Sequence, residues 1–285
     1  MMEHLRFLEG AGFGEEGKKI FFDIHSRKDA PSFKEKLLRA EEEYKKGDEA
    51  FGEYIESFAS EEKLLPQQLT LYIYILFAEK TYEEYQKRGI SDKIYFDTMK
   101  VFPTVSDVEK ARCGVYGIAQ KVYRGWVRKN LDCIIYRIGL LEFELKECPI
   151  EIPEHGVSIG DIVLSVHIPR NSGLSEEDAE SSYAAAREFF KKYYGMEMCI
   201  FICQSWLLHP WMQEWMKEES NIIKFQRKYS LVQVETNYEV ARNWIFPHCE
   251  EKDLDELPGD TSLQRKAIEY MKKGLPVGTG FGVRL

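Results

Sequence analysis

Apolar positions in the first 130 residues recur mostly at helical spacing. In residues 33–58 (FKEKLLRAEEEYKKGDEAFGEYIESF), Tyr44, Phe51, Ile55 and Phe58 share one stripe with charges elsewhere. Pro66 stands where a first helical turn tolerates proline, ahead of QQLTLYIYILFAEKTYEEY. A third helix is predicted from Ser106 and Glu109, spaced as a capping box, with Val108, Arg112, Val115, Ala119, Val122 and Trp126 following at every third or fourth position. Apart from Arg112, that face is apolar and is expected in a core. Near residue 131 the pattern changes. CIIYRIGLLEFELKE and GVSIGDIVLSVHIP read as strand regions, and SEEDAESSYAAAREFFKKYY as an amphipathic helix. EMCIFICQSW is the nearly all-apolar strand of a sheet covered on both faces. HPWMQEWM reads as a short helix and IIKFQRKYSLVQV as a further strand region. On these strands Phe201, Ile202, Trp206 and Phe225 are expected to be largely buried. The order predicts a helical domain over residues 1–130, then a sheet-containing domain of α/β or α+β type over 131–285.

Composition narrows the function classes. Of 285 residues, 44% are hydrophobic and 31% charged, which fits a globular core and not a disordered chain. A net charge of −9 argues against a nucleic-acid partner, since phosphate binding wants a basic footprint. The six cysteines form no CxxC pair and read as buried free thiols in a reducing cytoplasm. The N-terminal residues lack the basic start and apolar core of a signal peptide. The longest apolar run, LTLYIYILFA, is too short to span a bilayer, so a cytoplasmic protein with no membrane partner is expected.

Familiar motifs mostly fail on their context. Gly12, Gly14 and Gly17 spell G-x-G-x-x-G and, with Lys18, nearly a P-loop. No apolar strand precedes them, Lys19 replaces the hydroxyl that would hold magnesium, and Glu15 and Glu16 would repel phosphate. GTGFG (278–282) has no room for a following helix. Cys199 and Cys203 would lie about 13 Å apart on a strand, too far to chelate one ion. His25, His155 and His248 lack ligand partners nearby in sequence, so no metal site is expected. The polar residues that close apolar strands carry more. Alternation puts Val163, Ser165 and His167 on one face, with His167 where the strand stops, and Gln204 and Ser205 close the next strand. Ligands of α/β sheets sit beyond such strand ends. A strand-end His or Ser is more often a satisfied structural group.

Together, DIVLSVHIPRNSGLSEEDAESSYAAAREFF, CQSWLLHPWM, SNIIKFQRKYSLV and TSLQRKAIEYMKKGLPVGTGFG resemble the GNAT-like C-terminal domain of a bacterial acyltransferase family. The preceding part resembles that family's helical N-terminal domain through Asp97-Thr98, Trp126 and YRIGLLEFEL. The resemblance covers most of the chain. It implies an α+β fold, a helical domain followed by a GNAT-like mixed, splayed sheet, with acyl-CoA as co-substrate. The family's usual acid before the proline of SWLLHP is His209 here, so no carboxylate role is carried to it. The pantetheine-pairing strand and phosphate turn map onto Val163–Pro169 and Arg170–Gly173. Of the signature Q/R-x-x-G-x-G/A, Arg170 and Gly173 stand at the right spacing, while Leu174 and Ser175 replace the rest.

The helix after this turn opens on Ser175, Glu176, Glu177 and Asp178. Ser175 caps it, Asp178 sits at N3, Leu174 can staple against Ala179, and the acids favour the helix dipole. The same acids oppose a pyrophosphate, which Arg170 or the basic segment with Arg265 and Lys266 would have to offset. Two functions follow. The first is an acyl-CoA-dependent N-acyltransferase acting on an amine, with His167 or Glu142 as base and Ser205 or Tyr229 as acid. Its CoA would be held by Ile168, Arg170, Ser172 and Gly173. The second is a GNAT-like module that has lost CoA and binds a small molecule or a protein between its domains. A homodimer stays open in either case.

Overall fold

The computed structural model describes residues 2–170, 172–246, 249 and 252–285, so His248 lies outside the described residues. The chain divides into two compact units, Met1–Arg137 and Ile138–Leu285. The first is built from α1 (Met2–Gly10), α2 (Glu15–His25), α3 (Pro31–Lys46), α4 (Asp48–Glu62), α5 (Pro66–Arg88), α6 (Asp92–Met99), α7 (Val101–Cys113) and α8 (Lys121–Leu131). At its heart is α5. Leu69, Leu71, Tyr72, Ile73, Tyr74 and Ile75 are each no more than 1% exposed. A helix apolar all round belongs in a core and not on a surface. Pro66 occupies its first turn, and the amides of Gly89 and Ile90 close it on the carbonyls of Gln86 and Tyr85. Among the described residues no helix is long and apolar enough to cross a membrane.

Two of the helical expectations change. Residues 33–58 are not one stripe but two helices, parted at Gly47 with a φ of 130°. Phe51, Ile55 and Phe58 are buried, whereas Tyr44 is half-buried. The third predicted helix is also two. Ser106 and Glu109 do not cap it; they lie inside α7, both fully buried. The helix stops at Gly114 (φ 78°), and a Cβ on Gly117 would lie 2.5 Å from the Gln67 carbonyl oxygen. Glycines placed for a left-handed turn and a close approach outweigh the three-four periodicity, and Val122 ends 66% exposed.

In this unit the His4 and His25 rings meet edge-on at 4.4 Å, His4 pairs with Glu79, and His25 Nδ1 lies 3.3 Å from the Tyr72 hydroxyl. Burial, then the His4 charge, lowers the His25 pKa to about 4. The unfolded chain, titrating near 6.5, therefore binds the proton more readily. Stability present at neutral pH should fall as pH drops from about 6.5 through about 4. Urea midpoints measured across that range should slope downward, and His25→Gln should flatten the slope; an unchanged slope would remove His25 as its source.

The second unit carries the sheet. Its strands are β1 (Ile135–Ile138, straddling the division), β2 (Leu141–Glu147), β3 (Ile162–His167), β4 (Phe201–Ser205), β5 (Ser230–Thr236) and β6 (Gly278–Arg284), in the order β1-β2-β3-β4-β6-β5. The β3–β4 pair is parallel, and the β2–β3, β4–β6 and β5–β6 pairs are antiparallel, so the sheet is mixed. Around it lie α9 (Glu176–Tyr194), α10 (Met212–Trp215), α11 (Asn221–Gln226), α12 (Tyr238–Ile245) and α13 (Ser262–Lys272). The segment IIKFQ, expected as strand, is α11, capped by Ser220, whose hydroxyl accepts from the Ile223 amide. Phe225 is buried from that helix, and Trp206 is half-buried in a short 3-10 turn.

Strand β6 was not expected, because glycines occupy every second position. They are needed. A Cβ on Gly278 would lie 1.8 Å from the Glu235 carbonyl oxygen and one on Gly280 2.6 Å from that of Leu208. Alternation then defines two sheet faces. Phe143 and Phe201 share a face packed by α9, with Tyr183 5.8 and 4.9 Å from their rings. The other face carries an apolar cluster of Val163, Ile202, Val283 and Cys148, and beside it the polar residues Glu142, Glu144, Ser165 and His167.

Candidate active site

The parallel β3–β4 ladder covers Leu164↔Phe201 and Ser165↔Ile202, whereas β2 and β3 stay in register from Glu147↔Ile162 to Glu142↔His167. Past Ser165, β3 keeps its β2 neighbour and leaves the register with β4. His167 is the last residue of β3. Its Nε2–H donates to Glu144 Oε2 at 2.8 Å, with the Glu144 side chain only 6% exposed and that of His167 28%. Glu144 faces Ser165 in the ladder and reaches His167 along the diagonal, a span a long side chain can bridge. A carboxylate on Nε2 favours the tautomer that carries its proton on that nitrogen.

Of the four expected catalytic residues, the sheet brings two together: Glu142, nearly buried, stands directly opposite His167. Ser205 alternates with Phe201 and Cys203 onto the face covered by α9, where its hydroxyl accepts from the Leu207 amide at 3.2 Å. Tyr229 lies on that face too, its hydroxyl bonded to that of Tyr183, with its pKa raised by burial and then by Tyr183. Burial also pushes the Cys203 thiol up to about 12, which excludes a ready thiolate there. His209 is buried, its Nδ1 accepts from the Trp211 amide, and desolvation lowers its pKa, so it is no substitute for a carboxylate. Glu144 was overlooked in the sequence. Alternation with Glu142 in LEFEL places both on one face, but only the β2–β3 register shows which one reaches the histidine.

The turn after β3 is tightly built. The Arg170 guanidinium lies 5.3 Å over the Trp244 ring, and the Gly173 carbonyl accepts from Asn221 Nδ2 at 3.0 Å. Leu174 takes a left-handed φ of 47°, a strain of roughly 1–2 kcal/mol, held by a side chain 5% exposed. The Ser172 hydroxyl oxygen is buried and has no hydrogen-bond partner among the described residues. Ser175 caps α9 as expected, accepting from the Asp178 amide at 3.2 Å. Leu174 and Ala179 line one small cavity with Phe225. Of the acids at the helix start, Glu176 is matched by cations, Lys228 at 3.0 Å and Lys224 at 3.6 Å, and farther along the helix Glu180 pairs with Arg284. Arg265 is spent on the Gly259 and Asp260 carbonyls and Lys266 pairs with Glu269, so the cations that meet Glu176 are Lys224 on α11 and Lys228 just beyond it, not those of α13.

Residues 135–284 match the GNAT-like C-terminal domain, and residues 2–133 match the N-acyltransferase N-terminal domain. No curated protein matches the chain. Among solved structures, an acyltransferase in complex with decanoyl-CoA and teicoplanin is 24% identical with a TM-score of 0.66, over 76% of this chain. The chain spans 65% of that relative's length. An acyltransferase mutant in complex with octanoyl-CoA is 20% identical with a TM-score of 0.75, over 100% of this chain and 88% of the other. At these identities the likeness is one of fold.

Proposed function

The chain belongs to the family of the GNAT-like C-terminal domain, here joined to an N-acyltransferase N-terminal domain, and from that premise we propose that it transfers an acyl group from acyl-CoA to an amine. The observation that carries the reading is the Glu144–His167 pair where β3 parts from β4. In the reaction the amine nitrogen attacks the thioester carbonyl carbon. A C–N bond forms, the C–S bond breaks, and CoA leaves as a thiolate that takes a proton from water. His167 Nδ1 receives the amine proton, while Glu144 holds the ring and stabilises its charged form. The Ile168 amide, just beyond the strand, polarises the carbonyl. Relatives of the same fold that hold acyl-CoA support this donor.

The turn fits a phosphate-bearing ligand. Among the described residues the Ser172 hydroxyl has no hydrogen-bond partner, and Arg170 and Gly173 belong to the same turn. The capped, acidic start of α9 favours the second reading, a module that does not bind CoA. Thermal melts with and without CoA decide between them, because a ligand of the native state raises its melting temperature by mass action. No shift, together with no calorimetric heat, would leave the binding module standing.

Where CoA binds, Arg170→Ala should weaken it about tenfold, the loss of one charge-assisted hydrogen bond. Glu176→Gln should tighten it by removing a negative charge and releasing Lys224 and Lys228, and added salt should shrink both effects. Titration calorimetry on wild type and both variants measures this. Tight binding insensitive to both changes would place the phosphates elsewhere.

A further inference from the structure

We propose that Trp244 is the platform on which the adenine ring of CoA stacks, an inference that rests on the acyl-CoA reading above and extends it to a named residue. The parallel pairing of β3 with β4, and the antiparallel pairings of β4 with β6 and of β6 with β5, bring the C-terminal ends of β3, β4 and β5 to one end of the sheet. Ligands collect beyond such ends. Arg170 follows β3 there, and α12 starts at Tyr238, directly after β5 and Asn237. Two segments from opposite sides of β4 thus meet at the end where β3 and β4 part, with the Arg170 guanidinium 5.3 Å from the Trp244 ring.

The indole is open yet held in place. Trp244 is 48% exposed, while its neighbours Ile245 and Phe246 are buried. Helix α12 is pinned at both ends: the Tyr238 hydroxyl donates to the Leu275 carbonyl at 3.0 Å, and the Arg242 guanidinium to the Cys249 carbonyl at 2.9 Å. A ring fixed in this way loses little freedom when a second ring covers it. Every base has a face that stacks on an aromatic side chain. Among the described residues the Arg170 guanidinium meets this ring and no carboxylate, so its charge remains available to phosphate oxygens. In CoA the adenine and the pyrophosphate are joined through one ribose. A cation in the phosphate turn with an indole beside it presents the matching pair of groups in the matching order.

Titration calorimetry with two probes tests the platform: CoA itself, and phosphopantetheine, which lacks the adenosine part. Trp244→Ala should weaken CoA about ten- to a hundredfold, the loss of one stacked base, and leave phosphopantetheine unchanged. Trp244→Phe keeps a ring and should retain most of the CoA affinity. CoA should also quench part of the wild-type tryptophan fluorescence, and Trp244→Phe should lack that part. Melts without ligand should match wild type for both variants, as expected at an exposed position. Equal CoA affinity in wild type and Trp244→Ala would overturn the platform and leave the acyl-CoA reading standing. An equal loss for both probes would also overturn it, because Trp244 would then act on the turn and not on the base. A wild type that binds no CoA would overturn the platform and the acyl-CoA reading together.

Discussion

His167→Gln should lower the turnover of acyl transfer by about a hundred- to ten-thousand-fold while CoA affinity stays unchanged. Glutamine keeps the length of the side chain and can still donate to Glu144, so the end of β3 is preserved. It lacks a nitrogen that can take a proton near neutral pH. The loss should therefore fall on kcat, because the proton leaves the amine only as the C–N bond forms. Glu144→Gln should act more mildly, since the base remains but its charged form loses its partner. The measurement is CoA thiol release from decanoyl-CoA over a panel of amines, with thermal melts in CoA confirming that the site still folds. A His167→Gln enzyme as active as wild type would remove the histidine from the chemistry and with it the main support for the catalytic reading.

The second large effect concerns stability. Phe201→Ala should cost roughly 3–5 kcal/mol. Phe201 is fully buried, it is registered with Leu164 on one side and Arg284 on the other, and the rings of Phe143 and Tyr183 lie at 5.6 and 4.9 Å. The Arg187 guanidinium closes over it at 4.7 Å. The hole left by alanine would be walled by β2, β4 and α9, elements tied by backbone ladders that cannot collapse inward. Urea denaturation monitored by tryptophan fluorescence gives the value. A loss under about 1 kcal/mol would mean that the strand does not anchor the unit.

Much of this fold could be read locally. The alternation of LEFEL and VLSVH, the apolar run around Phe201 and the Ser175–Asp178 cap each signal their own element, and the structure has all of them. What escaped depends on partners distant in sequence. The glycines of β6 hide a strand because the backbone at Glu235 and Leu208 demands them. Ser106 and Glu109 have the spacing of a cap, yet the core of the first unit takes them into a helix. The site divides in the same way. His167 was visible as a strand end, but Glu144 emerges only from the pairing of β2 with β3. Ser205 and Tyr229 were set aside by the face on which they fall, and a face follows from register as much as from composition.

The position of β6 bears on how the second unit is made. It is the last of the six strands to be synthesised, yet it lies between β4 and β5. Until Gly278 to Arg284 have left the ribosome, β4 lacks its antiparallel neighbour and β5 has no sheet to join. The nascent unit must wait with the apolar flank of Phe201, Ile202 and Cys203 uncovered, in the state where collapsed chains are most open to wrong pairing. Deletion of Gly278 to Arg284 would thus split the sheet in two, and cells would be expected to clear that product through chaperones and proteases.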